Sequence, residues 1–121
     1  MSFSVLMSIY KKEDSEYFDI AMKSIWDDQI LKPSEIILVE DGKLTEVLYS
    51  TIKKWKEKLK QVLVIVPLEE NIGFAKALNI GLDYCTQELI IRMDTDDISM
   101  PNRFKIQYEY MQENKDISAS G

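Results

Sequence analysis

Three carboxylates fall within four residues at Asp94, Asp96 and Asp97, directly after the apolar run Ile90-Ile91-Arg92-Met93. The chain already carries a formal net charge of −6. At about 4 Å and an effective dielectric near 20, each pair of like charges costs roughly 4 kcal/mol. Either water solvates these acids separately or a cation joins them. There is no histidine and a single cysteine, Cys85. Histidine-based acid–base chemistry and thiolate zinc sites are therefore excluded, and any metal must sit on oxygens. Oxygen ligands select hard cations such as magnesium, manganese or calcium.

An isolated Asp-x-Asp is ordinarily a solvated turn or a helix cap, because aspartate is common in both. Position argues for more here. Four apolar tracts, Phe3–Ile9, Glu35–Val39, Val62–Pro67 and Glu88–Met93, read as buried strands. Between them, apolar residues recur at helical spacing. Phe18, Ala21, Met22, Ile25 and Trp26 form one stripe, and Leu48, Ile52, Trp55 and Leu59 a second. Phe74, Ala77, Leu78, Gly81, Leu82 and Cys85 form a third, and Arg103 to Glu113 reads as a fourth helix.

Buried strands alternating with amphipathic helices predict an α/β fold with an open, mainly parallel sheet and right-handed crossovers. Ligands of such sheets bind beyond the carboxyl ends of the strands. Asp94 and the pair Glu40-Asp41 both follow strand ends, so acids distant in sequence are expected on one rim. That placement favours a cation site over a solvated loop.

Other acidic and phosphate-binding motifs do not fit. A calcium loop starting at Asp94 needs glycine at its sixth position and glutamate at its twelfth, where Ser99 and Lys105 stand. A haloacid-dehalogenase nucleophile follows the first strand rather than the fourth. A receiver domain needs paired acids early, where this chain has Ser8-Ile9-Tyr10. There is no P-loop motif, and no Gly-x-Gly-x-x-Gly follows the first strand. An acidic rim can still hold a diphosphate when a divalent ion lies between, since magnesium commonly takes one or two carboxylates plus substrate phosphates.

With 121 residues, 45% hydrophobic and 30% charged, the chain has the make-up of one globular domain. The acidic balance argues against nucleic acid as a partner. No apolar run approaches the length of a membrane span, and no signal peptide pattern opens the chain. These features predict a cytoplasmic protein. Ile117-Ser118-Ala119-Ser120-Gly121 begins like a fifth strand and stops, so residues 1–121 are expected to be part of a larger domain, truncated at the C-terminus.

Four segments together resemble the N-terminal, nucleotide-binding half of family-2 glycosyltransferases of the GT-A fold. They are SVLMSIY in the first strand, EIILVEDG in the second, ENIGFAKALNIGL in the third helix, and RMDTDDISMPNRF. The sequence looks most like the bacterial exopolysaccharide and O-antigen transferases of the amylovoran type. The resemblance implies that Asp41, with Glu40 beside it, meets the nucleotide base. It implies that Ser8, Ile9 and Tyr10 line the base and ribose pocket. It also implies that Asp94 approaches the ribose and that Asp94 and Asp96 form the Asp-x-Asp pair for Mn2+ or Mg2+. Asn71 and Lys76, within the Asn71-x-Gly73…Asn79-x-Gly81 motif, would face the nucleotide or its phosphates.

Ser8 and Lys11 replace the family's usual proline and asparagine, and Glu40 stands where aspartate is commoner. Neither change removes a carboxylate, but both touch base preference. The implied activity is inverting transfer of a sugar from a nucleotide-diphospho-sugar to a saccharide or lipid-linked acceptor, with peripheral membrane contact at the inner face. The implied catalytic base lies beyond Gly121. Two other readings stay open: a nucleotide-binding module without turnover, and a metal-dependent phosphatase.

Among the remaining residues, Gly81 inside a helix reads as a point of close packing. Trp26, Trp55 and Cys85 read as core. Arg103 reads as a partner for nearby acids.

Overall fold

A parallel sheet in the strand order β3-β2-β1-β4-β5 organises the chain. The computed structural model describes residues 3–27, 29, 32–93 and 119–120. Its elements run β1 (Ser4–Ile9), α1 (Ser15–Ile25), β2 (Glu35–Glu40), α2 (Glu46–Leu59), β3 (Leu63–Pro67), α3 (Phe74–Leu82), β4 (Ile90–Arg92) and β5 (Ala119–Ser120). Every neighbouring pair is parallel, with Ser4 opposite Glu35 on one side of β1 and Ile90 on the other.

Alternation along the central strands divides the core in two. Val5, Met7 and Ile9 of β1 and Ile36 and Leu38 of β2 pack with Phe18, Met22, Ile25, Leu48, Ile52 and Trp55 from α1 and α2. Leu6, Ile37 and Val39 pack on the opposite face with Ala77 and Leu78 of α3. The helix stripes thus face the sheet, α1 and α2 on one side and α3 on the other. Gly81 is required at the α3 contact. A Cβ there would come within 2.5 Å of Leu6 Cδ1 and 2.7 Å of Val39 Cγ2.

Local chemistry fixes the helix ends. Asp14 Oδ1 accepts the N–H groups of Glu16 and Tyr17 at 2.8 and 3.2 Å, and Thr45 Oγ1 accepts that of Leu48 at 3.2 Å. At the far end of α2, Lys60 takes a positive φ of 55°. Lys56 Nζ donates to the carbonyls of Lys60 and Leu63 there, at 2.9 and 2.6 Å.

Some sequence expectations shift. α3 ends at Leu82, so Cys85 lies past it, half-buried against the α3-side core. Phe74 is exposed rather than core. Trp55 is buried, whereas Trp26 is only partly so. Val62 belongs to a 3-10 turn, Lys60–Val62, ahead of β3. The expected fifth strand is present as β5 beside β4. The expected helix Arg103–Glu113 lies outside the described residues, as does Arg103 itself.

Candidate functional site

Strand order reverses between β1 and β4. The chain steps from β1 to β2 to β3 in one direction, then crosses back over both to place β4 on the other side of β1. The connections on the two sides of that point diverge and leave a crevice at the carboxyl ends of the strands, where ligands of open α/β sheets bind. A cavity of about 270 Å³ lies at these ends, lined by Ser8, Tyr10, Glu13, Asp41, Asn71, Gly73 and Phe74. Residues from the first strand, the β2 exit and the loop before α3 thus meet in one place.

Asp41 is the centre of this construction. It is 4% exposed. Its N–H donates to Ile9 O at 2.8 Å, extending the β1–β2 ladder past the strand end. Its carboxylate accepts the Ile72 N–H at 2.8 Å through Oδ1 and the Gly73 N–H at 3.2 Å through Oδ2. Its carbonyl accepts Asn71 Nδ2 at 3.2 Å. Asn71 is therefore bound back to the loop of Asp41. The negative charge also sits at the N-terminus of α3, where the aligned peptide dipoles favour it.

Gly42 lets the two loops close. Its φ is +85°, and a Cβ there would lie 2.8 Å from Asn71 N. Both the dihedral and the clearance call for glycine.

Glu40, the last residue of β2, is 7% exposed and shares a sheet register position with Ile9. It therefore points toward the face covered by α1 and α2. Among the described residues its carboxylate has no hydrogen-bond or ion-pair partner, and burial pushes its pKa above the usual glutamate value. Adjacent and similarly buried, the two acids differ in their partners: Asp41 is held by two amides, while among the described residues Glu40 has none.

Of the segment Ser8–Tyr10, Ser8 and Tyr10 line the cavity, whereas the Ile9 side chain belongs to the core and contributes its carbonyl. Asn71 lines the cavity; Lys76 is exposed on α3 and does not. Asp94, Asp96 and Asp97 lie outside the described residues. The residue before them, Met93, is fixed on the sheet by its N–H to Leu6 O at 2.9 Å. β4 is thus paired along β1 from Ser4 to Leu6. Among the described residues no group of three or more His, Cys, Asp or Glu side chains could hold a metal ion.

Glu13 and Phe74 line the cavity although the sequence reading did not assign them to it. Phe74 falls on the apolar stripe of the third helix, a spacing that predicts a sheet-facing residue. The signal against that was Gly73 immediately before it, which places Phe74 in the first turn at the open end of the helix. A second depression of about 230 Å³ adjoins Asp41 and Asn71 and is lined also by Lys11, Gly42, Lys43 and Glu69. Cys85 stands away from both cavities, and burial is the main cause raising its thiol pKa to about 11. It is not a nucleophile at neutral pH.

Comparison with known proteins gives this geometry a context. Residues 4–121 match the family model "Glycosyl transferase family 2". The chain is 45% identical over 119 residues to the amylovoran biosynthesis glycosyltransferase AmsE of Erwinia amylovora, covering 98% of this chain and 44% of that protein. It is 40% identical over 115 residues to the UDP-Gal:alpha-D-GlcNAc-diphosphoundecaprenol beta-1,3-galactosyltransferase of Escherichia coli, covering 95% and 41% of the two chains. The chain therefore spans less than half the length of these relatives.

Among solved structures, S. aureus TarS 1–349 in complex with UDP superimposes with a TM-score of 0.76 at 26% identity, over 93% of this chain and 32% of that one. The Pyrobaculum calidifontis mannosyltransferase PcManGT agrees in fold, with a TM-score of 0.67 at 24% identity over 79% of this chain and 28% of that one. The architecture is that of GT-A glycosyltransferases. With the match running from the first residue of β1 to the end of the chain, this protein belongs to glycosyl transferase family 2.

Proposed function

We propose that the chain is the donor-binding part of an inverting glycosyltransferase. It would take a sugar from a nucleotide-diphospho-sugar and pass it to a saccharide or lipid-linked acceptor in bacterial surface polysaccharide synthesis. The observation that carries this reading is the meeting of Ser8, Tyr10, Asp41 and Asn71 in one cavity at the reversal of strand order. The relatives' names point the same way. One is named for amylovoran biosynthesis, another for galactosyl transfer from UDP-Gal to a diphosphoundecaprenol-linked sugar. TarS binds UDP and UDP-GlcNAc.

In this reading Tyr10 and Ser8 hold the base and ribose. Asp41 keeps the loop before α3 in place and offers its remaining lone pairs to the base. Among the described residues, the cavity lining includes the acids Glu13 and Asp41 and no lysine or arginine. A diphosphate bound beside them would be repelled unless its charge were offset. The donors suited to that task are oxygens, and Asp94 and Asp96, which follow Met93 at the β4 exit, are the residues we assign to hold Mn2+ or Mg2+. A divalent cation there would neutralise charge on the departing diphosphate. The base that deprotonates the acceptor hydroxyl is assigned to the part of the relatives that this chain does not span. No helix among the described residues is long and apolar enough to cross a membrane, so we place contact with lipid-linked acceptors at the membrane's inner face as a peripheral one.

The test is thermal melting with UDP, GDP and TDP, each with and without manganese. At one hundred times the dissociation constant, a bound nucleotide should add about 2.7 kcal/mol of stability. Asp96→Ala should abolish the manganese-dependent part of that shift. Unchanged melting with all three nucleotides at saturating concentration would overturn the proposal.

A further inference from the structure

We infer that Phe74 stacks on the nucleobase of the donor from the side opposite Tyr10, so that the two rings form an aromatic clamp across the cavity. The inference rests on the nucleotide-site reading above and adds to it a residue that neither the motif nor the sequence spacing assigns.

Phe74 is 53% exposed and Tyr10 41%, although both are large side chains and the other described phenylalanines, Phe3 and Phe18, are fully buried. Exposure of an aromatic ring forgoes the burial that normally stabilises it. Both rings line the same cavity. They arrive from different elements: Tyr10 at the exit of β1, and Phe74 at the first turn of α3. The N-cap residue Gly73, with φ of +97°, sets where that helix begins. Asp41 pins the same turn through Ile72 and Gly73. Phe74 is therefore an exposed ring on a fixed mount rather than a loose surface residue.

The occupant should be flat, partly apolar and edged with hydrogen-bonding groups, because Ser8, Asp41 and Asn71 line the same cavity as the two rings. The cavity, at about 270 Å³, falls just below the roughly 300–1,000 Å³ of whole small-molecule sites. That suits one heterocycle with its ribose better than a complete nucleotide sugar. Stacking is tolerant of base identity, because every base offers a π-face. Phe74 should thus contribute affinity without choosing among bases.

The experiment measures dissociation constants of UDP and GDP, with manganese, for the full chain and its Phe74→Ala and Phe74→Tyr variants by calorimetry. Phe74→Ala should weaken both nucleotides about tenfold, to a similar degree, while its melting temperature without ligand stays within a degree or two of the parent. Phe74→Tyr should bind within twofold of the parent. If Phe74→Ala binds as the parent does, the clamp is wrong and the nucleotide site stands. If Phe74→Ala melts well below the parent and Phe74→Tyr fails to restore binding, Phe74 is structural and the inference falls. If the parent itself binds neither nucleotide, the underlying site reading falls with it.

Discussion

Asp41 holds Ile72 across 31 residues of sequence by a 2.8 Å hydrogen bond from the Ile72 N–H to Oδ1. With the Gly73 N–H on the other oxygen, one carboxylate ties the exit of β2 to the entry of α3. The cavity wall between them is consequently set before any ligand arrives. Such preorganisation lowers the cost of binding.

Replacing Asp41 with Asn should break this tie at one atom. An amide can accept one of the two N–H groups but presents its own NH2 to the other, leaving a buried donor unpaired. The expected loss is about 1–3 kcal/mol of stability. Urea denaturation of the variant should show a lower midpoint with an unchanged slope, and nucleotide affinity should fall in parallel.

Gly42→Ala is expected to be worse than an ordinary surface substitution. The Cβ would sit 2.8 Å from the backbone nitrogen of Asn71, on a residue whose φ of +85° already disfavours a side chain. Because the neighbour is backbone, it cannot swing aside. A left-handed φ alone costs a non-glycine residue roughly 1–3 kcal/mol, and the contact adds to it. Thermal melting would register the loss, and an unchanged melting temperature would contradict the interlocked loops.

For Gly81→Ala two effects oppose each other. Alanine gains about 1 kcal/mol of helix propensity over glycine. Its Cβ would strike Leu6 Cδ1 and Val39 Cγ2 inside a closed core, and overpacking of that kind costs typically about 1–3 kcal/mol. Leucine can rotate, but Val39 is stiff at χ1 and buried. Packing should win, giving a net destabilisation on the order of 1 kcal/mol in chemical denaturation.

Glu40 should leave a pH signature. Burial raises its folded pKa above the ordinary value of 4.5, so the folded state binds this proton more tightly than the unfolded chain does. Its contribution is fully present below the unfolded pKa and is lost as pH rises through the folded pKa. Glu40→Gln, which cannot ionise, should therefore gain stability relative to the parent as pH climbs from about 4 toward 7. Paired melting curves across that range would reveal the crossover, and parallel curves would show that Glu40 finds a partner.

Much of this fold was legible because burial imposes periodicity. The stripes Phe18–Ile25 and Leu48–Leu59 could face only the sheet, and runs such as Ile36–Val39 could lie only inside it. The prediction that Gly81 marks a close contact held for the same reason: a helical glycine forgoes propensity, and something must compensate. What escaped the sequence were matters of helix phase at an end. Phe74 shares its spacing with Ala77 and Leu78, yet one turn from the helix start the stripe leaves the sheet and meets the rim. For Asn71 the resemblance implies only a place facing the nucleotide or its phosphates, and the geometry shows its amide donating to Asp41 O. That Glu40 and Asp41, adjacent and both buried, would differ in hydrogen-bond partners follows from strand alternation at a strand end, which letters alone do not locate to one residue.

The position of β1 has a consequence for how the chain is made. Ser4 pairs with Glu35 on one edge, but its other edge waits for Ile90. At a synthesis rate of about 5–20 residues per second, that wait is on the order of ten seconds. Throughout it the central strand of the finished sheet is an open edge on the nascent chain, exposed to pairing with the wrong partner until β4 is made.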